Sequence, residues 1–161
     1  MTEFTTHVGM KEQDRERLVT TLNTTLATTL DLMLQVKQAH WNIRGPWFFA
    51  RHELFDELAK QLRKLGDDIA ERASTLGGYA NGTVRLSAEH SELPEYDLKA
   101  VDGEQHLRQL TERYGTYTKL LRTGISRSQE SNDPATEDLL TEALRKTELD
   151  LWFLESHLKR A

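Results

Sequence analysis

The sequence contains no cysteine, which excludes disulfides, thiolate metal sites and cysteine nucleophiles and fits a reducing compartment. It lacks a membrane span. The longest uncharged leucine-rich run, Leu18 to Leu30, is shorter than the roughly 20 residues needed, and threonines interrupt it repeatedly. The opening stretch MTEFTTHVGMKEQDRER has no apolar core, so no secretory signal is expected. An excess of positive charge is missing too. With 21 Lys and Arg against 26 Asp and Glu the net charge is -5, and the chain as a whole has no electrostatic footprint for nucleic acid. Its 161 residues suit a single domain, 1–161, with residues 1–11 expected as a flexible tail. A soluble, cytoplasmic protein is the expectation.

Proline and glycine are scarce, three and nine residues, and they cluster. Gly45-Pro46 is one break, the region from Gly77 to Pro94 another, and Asn132-Asp133-Pro134 a third. Between the breaks the apolar period is helical. Leu18, Leu22, Leu26, Leu30, Met33 and Leu34 step by about one turn, helped by a short repeat, TTLN-TTLA-TTLD. Phe55, Leu58, Leu62, Leu65, Ile69 and Leu76 alternate threes and fours, as a bundle seam does. A third seam runs from Leu107 to Ile125 and a fourth from Leu140 to Leu158. No segment sustains the period-two alternation of a half-buried strand. The expected helices are 12–42, 46–75, 100–127 and 134–158, with Pro134 at a first helical position behind Asp133. The fold is therefore all-α. It is a four-helix bundle with a long crossover between helices 2 and 3, able to hold a short helix, which is the ferritin-like connectivity.

The chemistry-bearing residues sit on the second helix. His52 and Asp56 are one turn apart, as are Asp67 and Glu71. With His52 at zero, the helical repeat puts Asp56 at about 40°, Asp67 at about 60° and Glu71 at about 100°. The apolar seam centres near 260°, so the stripe faces away from the chain's own core. Asp56 and Asp67 are separated by roughly 16 Å of helix rise, too far to share one ion within a chain. The plain reading is a solvated helix face. The sharper reading uses symmetry. Two copies packed antiparallel about a two-fold near residues 61 and 62 would bring Asp56 of one chain to Asp67 of the other, giving two identical sites. Oxygen-rich sites with one or two imidazoles suit Fe(II), Mn(II) or Zn(II). His40 ends the first helix, and the turn at Arg44-Gly45-Pro46 lies almost midway between it and His52, so the two histidines come level in a helical hairpin.

Other motifs fall short. No histidine follows a glutamate by three, so the usual Glu-x-x-His of di-iron bundles is absent. His52-Glu53-Leu54-Phe55-Asp56 has aspartate where a zincin helix needs its second histidine. His7, His90, His106 and His157 are expected on the surface. Trp41, Trp47, Phe48 and Phe49 crowd the first turn, as staples between two helices or as a wall for a redox site. Trp152-Phe153 is expected in the core.

The segment Lys37-Gln38-Ala39-His40-Trp41-Asn42-Ile43-Arg44-Gly45, then His52-Glu53-Leu54-Phe55-Asp56 and Asp67-Asp68-Ile69-Ala70-Glu71-Arg72-Ala73, resembles the Dps family, DNA-binding proteins from starved cells that form ferritin-like mini-cages. The resemblance continues through Leu76-Gly77-Gly78, His106 to Tyr114 and Leu151 to Glu155. It implies a homo-oligomeric shell of twelve subunits that oxidises Fe(II) with hydrogen peroxide, or with oxygen, and stores ferric mineral, protecting the cell and its DNA. It implies a ferroxidase site between two-fold mates, with His40, His52 and Asp56 from one chain and Asp67 and Glu71 from the other. Trp41 and Lys37 would stand beside it, and zinc or manganese could occupy the same site. Asp133 and Asp138, opening the fourth helix, resemble acids of an iron-entry pore. The alternative is a nucleoid-associated DNA-compacting protein with a secondary metal site. Against it, residues 1–17 carry Lys11, Arg15 and Arg17 beside Glu3, Glu12, Asp14 and Glu16, and the C-terminus offers only Lys159 and Arg160. Weak or absent DNA binding is expected.

Overall fold

A computed structural model describes residues 4–158. Among them are five helices and no strand. These are α1 (Glu12–Asn42), α2 (Phe48–Thr75), α3 (Val84–His90), α4 (Gly103–Glu130) and α5 (Pro134–Ser156). α1 packs chiefly on α2 and α4 on α5, and the two hairpins close on each other through α1 with α4 and α2 with α5. α3 lies in the crossover against α1. None of the helices is long and apolar enough to cross a membrane.

Local chemistry sets the helix ends. α2 starts two residues later than the periodicity suggests, because Gly45 (φ 95°) and Trp47 (φ 62°) both adopt left-handed backbone before the helix can begin. α4 starts at Gly103 because Asp102 and Gln105 form a capping box there, and it runs on to Glu130. α5 begins with Pro134 as its first residue.

The core runs the length of the bundle, from Leu18 and Leu22 at one end to Ile43, Phe55 and Leu107 at the other, with Tyr114 and Tyr117 fully buried between. The threonine repeat contributes more than spacing. Thr21, Thr25, Thr28 and Thr29 are buried, and each hydroxyl donates to the carbonyl four residues back at 2.7–3.0 Å. That satisfies polar atoms which would otherwise be costly inside. The Thr29 hydroxyl also lies 2.6 Å from the Tyr117 hydroxyl, which ties α1 to α4.

Residues 4–10 pack against the bundle. Phe4 donates its backbone N–H to the Gly77 carbonyl at 3.1 Å and sets its ring edge-on to Tyr79, while Val8 and Met10 pack on the core. Gly77 has φ 85°, and a Cβ there would come within 2.7 Å of the Phe4 carbonyl oxygen. Residues 1–3, and the basic pair Lys159 and Arg160, lie outside the described residues. Trp152 is 58% exposed and Phe153 lies at the exposed boundary, so this pair is surface and not core. The buried face of α5 is instead carried by Leu140, Ala143, Leu144, Thr147, Asp150 and Leu154.

Candidate metal centre

The α1–α2 hairpin brings His40 and His52 level, with ring centroids 3.7 Å apart and planes inclined by 20°. Each ring is tied to the other's backbone. His40 Nδ1 lies 2.8 Å from the His52 carbonyl oxygen, and His52 Nδ1 lies 2.9 Å from the His40 carbonyl oxygen. A carbonyl oxygen can only accept, so both Nδ1 atoms carry the proton, and in the neutral ring each Nε2 is left with its lone pair. This reciprocal pair orients two imidazoles as metal ligands are oriented by outer-shell bonds.

Asp56, one turn beyond His52, accepts from Lys37 Nζ at 2.8 Å and pairs with Lys60 Nζ at 3.0 Å. The Lys37 hydrogen bond first, and that of Lys60 next, hold its carboxyl below the usual aspartate range. Lys37 also lies over the Trp41 ring, 5.6 Å from its centroid. Lys60 was legible in the sequence, since it stands four residues after Asp56. Asp67 and Glu71 are exposed further along the same helix face. Asp67 lines an open groove of about 670 Å³ with Leu26, Leu30, Lys60, Gly66 and Gly82. Among the described residues, no three His, Asp or Glu side chains of one chain could hold a metal ion together. The hairpin thus stacks His40 on His52 and, one turn beyond, pairs Lys37 with Asp56, and it leaves Asp67 and Glu71 further along the helix.

The aromatic residues at the turn do not staple the hairpin. Trp41, Trp47 and Phe49 are 56%, 76% and 71% exposed, while Phe48 sets its ring 5.1 Å from that of His52. An apolar patch of this kind beside a polar stripe is what a contact surface looks like.

Asp133 is buried, unlike Asp138, which is exposed near the start of α5. Its carboxylate accepts from Arg72 at 2.7 and 2.9 Å and from the Thr136 hydroxyl at 2.5 Å. Burial pushes its pKa up, but the Thr136 and Arg72 hydrogen bonds outweigh that and leave it lowered. An acid so engaged is not free to line a pore as expected, because Arg72 reaches across from α2 to claim it.

His106 is the one histidine placed wrongly on the surface, whereas His7, His90 and His157 are exposed as expected. It is fully buried, 2.7 Å from the Tyr96 hydroxyl. Its partner lies in the crossover, ten residues upstream, where helical spacing gives no signal. Asp150 was missed as well. It is 4% exposed on the core face of α5, and burial, followed by the charge of Glu57, pushes its carboxyl up to about 7.

Helix order, crossover and a histidine-carboxylate face on the first hairpin together define a ferritin-like bundle. The ferritin-like domain family matches residues 19–161. A protein named DNA protection during starvation protein from Agrobacterium fabrum is 44% identical over 138 residues, covering 86% of this chain and 85% of the relative. DpsA14 from Streptomyces coelicolor superposes with a TM-score of 0.94 at 35% identity, over 100% of this chain and 95% of that one. A Vibrio cholerae DPS protein, described as one of the ferritin-like diiron-carboxylate proteins, gives 0.90 at 25% identity over 99% and 98%. The chain belongs to the Dps family.

Proposed function

We propose that this protein stores and detoxifies iron as a closed shell of twelve subunits, with ferroxidase sites at its two-fold interfaces. Membership of the Dps family, in the ferritin-like diiron-carboxylate group, supports iron storage and protection during starvation stress. The observation that carries the finer reading is the reciprocal histidine pair, which leaves each ring an Nε2 lone pair, with Asp56 one turn beyond His52. Fe(II), the substrate, would bind His40, His52 and Asp56 of one chain and Asp67 and Glu71 of its mate. Antiparallel packing of two α2 helices brings these halves together across the roughly 16 Å of rise that separates them in one chain.

The residues fit that task. Asp56 is ionised well below neutral pH, so it meets the cation as a carboxylate, and Lys37 and Lys60 hold it until then. Carboxylates stabilise Fe(III) more than Fe(II), which favours oxidation at the site. Hydrogen peroxide takes one electron from each of two Fe(II) ions and leaves as hydroxide, so both Fenton reagents disappear without free radical. Oxygen is the slower oxidant in this reading. Zinc or manganese would compete for the same donors. Asp138 remains as the exposed acid of the pore pair. DNA binding is weak or absent, since the net charge is -5 and the segment from Phe4 to Met10 is packed on the bundle.

The test is His52→Ala with Asp56→Ala. Initial rates of peroxide-driven Fe(II) oxidation, followed by ferric absorbance, should fall by about 10²-fold while the shell still assembles. Unchanged rates would reduce the stripe to a solvated face.

A further inference from the structure

Outside the histidine-carboxylate face, one buried pair is built for chemistry that packing does not require. Tyr96, 3% exposed in the crossover, places its hydroxyl 2.7 Å from Nδ1 of the fully buried His106, with the two rings inclined by only 13°. His106 Nε2 has no partner. The hydrogen count fixes the direction of the bond. If Nδ1 donated, both the phenol hydrogen and the Nε2 lone pair would go unmet, whereas a donating phenol leaves only the Nε2–H. Tyr96 therefore donates to a neutral imidazole, and burial keeps that ring neutral by pushing its pKa down.

The other buried tyrosines lack this feature. The Tyr114 hydroxyl has no partner, and that of Tyr117 meets Thr29. Position matters as well. His106 is 6.5 Å from Phe55, ring to ring and edge-on. Phe55 precedes Asp56 and is fully buried, so the pair packs on the core face of the stretch of α2 whose other face carries the site. The charges of Asp102 and Asp97 both favour a protonated His106, opposing the cost of its burial.

We propose that Tyr96 and His106 form a redox sink that supplies one electron when a site holding a single Fe(II) reduces peroxide. This role rests on the ferroxidase reading above. The lone Fe(II) gives one electron, the O–O bond breaks, and Fe(III), hydroxide and a hydroxyl radical result. Tyr96 gives the second electron, which turns the radical into hydroxide. Its O–H bond breaks in the same event, and the proton crosses to His106 Nδ1. The products are Fe(III), two hydroxides, a neutral tyrosyl radical and an imidazolium ion. A later Fe(II) returns the electron, His106 returns the proton, and the stoichiometry of two irons per peroxide is restored. Without the relay, the hydroxyl radical would be free to attack the protein beside the site.

Assembled shells given less than one Fe(II) per site, then peroxide, and freeze-quenched for electron paramagnetic resonance will test this. Wild type should show a tyrosyl radical coupled to one exchangeable deuteron after preparation in deuterium oxide, which is the hydrogen bond from His106. Tyr96→Phe should lower the radical yield by about tenfold, whereas Tyr114→Phe and Tyr117→Phe keep it. The deuteron measurement needs no variant, so a Tyr96→Phe chain that fails to assemble leaves the test standing. Iron oxidised with no tyrosyl radical, a radical without the deuteron coupling, or one undiminished in Tyr96→Phe would each overturn the relay alone. Iron left as Fe(II) in wild type would overturn the ferroxidase reading, and the relay with it.

Discussion

Asp150 gives the bundle a pH dependence that can be worked out in sign. Its folded pKa is raised to about 7, chiefly by burial. A raised carboxyl stabilises the fold fully below its unfolded value, and that contribution is lost as pH rises through the folded value. The chain should therefore lose stability between about pH 4 and pH 7 through this residue. Asp150→Asn, which cannot ionise, should match wild type near pH 4 and exceed it by about 1–3 kcal/mol at pH 8 in urea denaturation. Equal stability at pH 8 would mean that the carboxylate finds a partner there. The residue scale is also where the sequence was least informative. The stripe from His52 to Glu71 could be read because a helix converts spacing directly into direction. Asp150, Tyr96 and His106 take their properties from neighbours on other elements, and no local period encodes those. Trp152 and Phe153 failed for the opposite reason. Their size suggested burial, but Leu140, Ala143, Leu144 and Leu154 already fill the inward face of α5.

Among the elements, α5 is tied at its start to α2 by a buried ion pair. Asp133 precedes its first turn, is 4% exposed, and is held by Arg72 from the end of α2. Removing one member of such a pair leaves the other charge buried and unmatched. Asp133→Ala should therefore cost about 3–5 kcal/mol, measured by chemical denaturation at neutral pH. Because the Asp133 pKa is lowered in the fold, this contribution is present above the ordinary aspartate range and fades as pH falls below it. A loss under about 1 kcal/mol would show that the pair behaves as a surface salt bridge. Most of the helices could be foreseen to within a few residues because long amphipathic segments between clustered breakers leave little choice. The starts of α2 and α4 could not. The left-handed backbone at Trp47 and the capping box at Asp102 are three-dimensional solutions to leaving one helix and entering the next.

The whole molecule presents an exposed aromatic cluster at Trp41, Trp47 and Phe49 beside a polar stripe whose two halves cannot meet within one chain. The closed shell proposed above would account for both features, and light scattering at neutral pH should then report a mass near twelve times 18.6 kDa. A monomer or a simple dimer would contradict it.

The most direct test of the shared site mixes two defective chains. One lacks His52 and Asp56, the other lacks Asp67 and Glu71, and each shell alone should oxidise almost no iron. In mixed shells every heterologous two-fold pair holds one intact site and one wholly broken site. Random pairing makes about half the pairs heterologous, so roughly a quarter of wild-type sites should return. Activity restored to about that level, with mixing verified by native mass spectrometry, is the result expected if one chain's histidines work with the other chain's carboxylates. Activity no higher than the average of the two parents, in shells shown to be mixed, would contradict it.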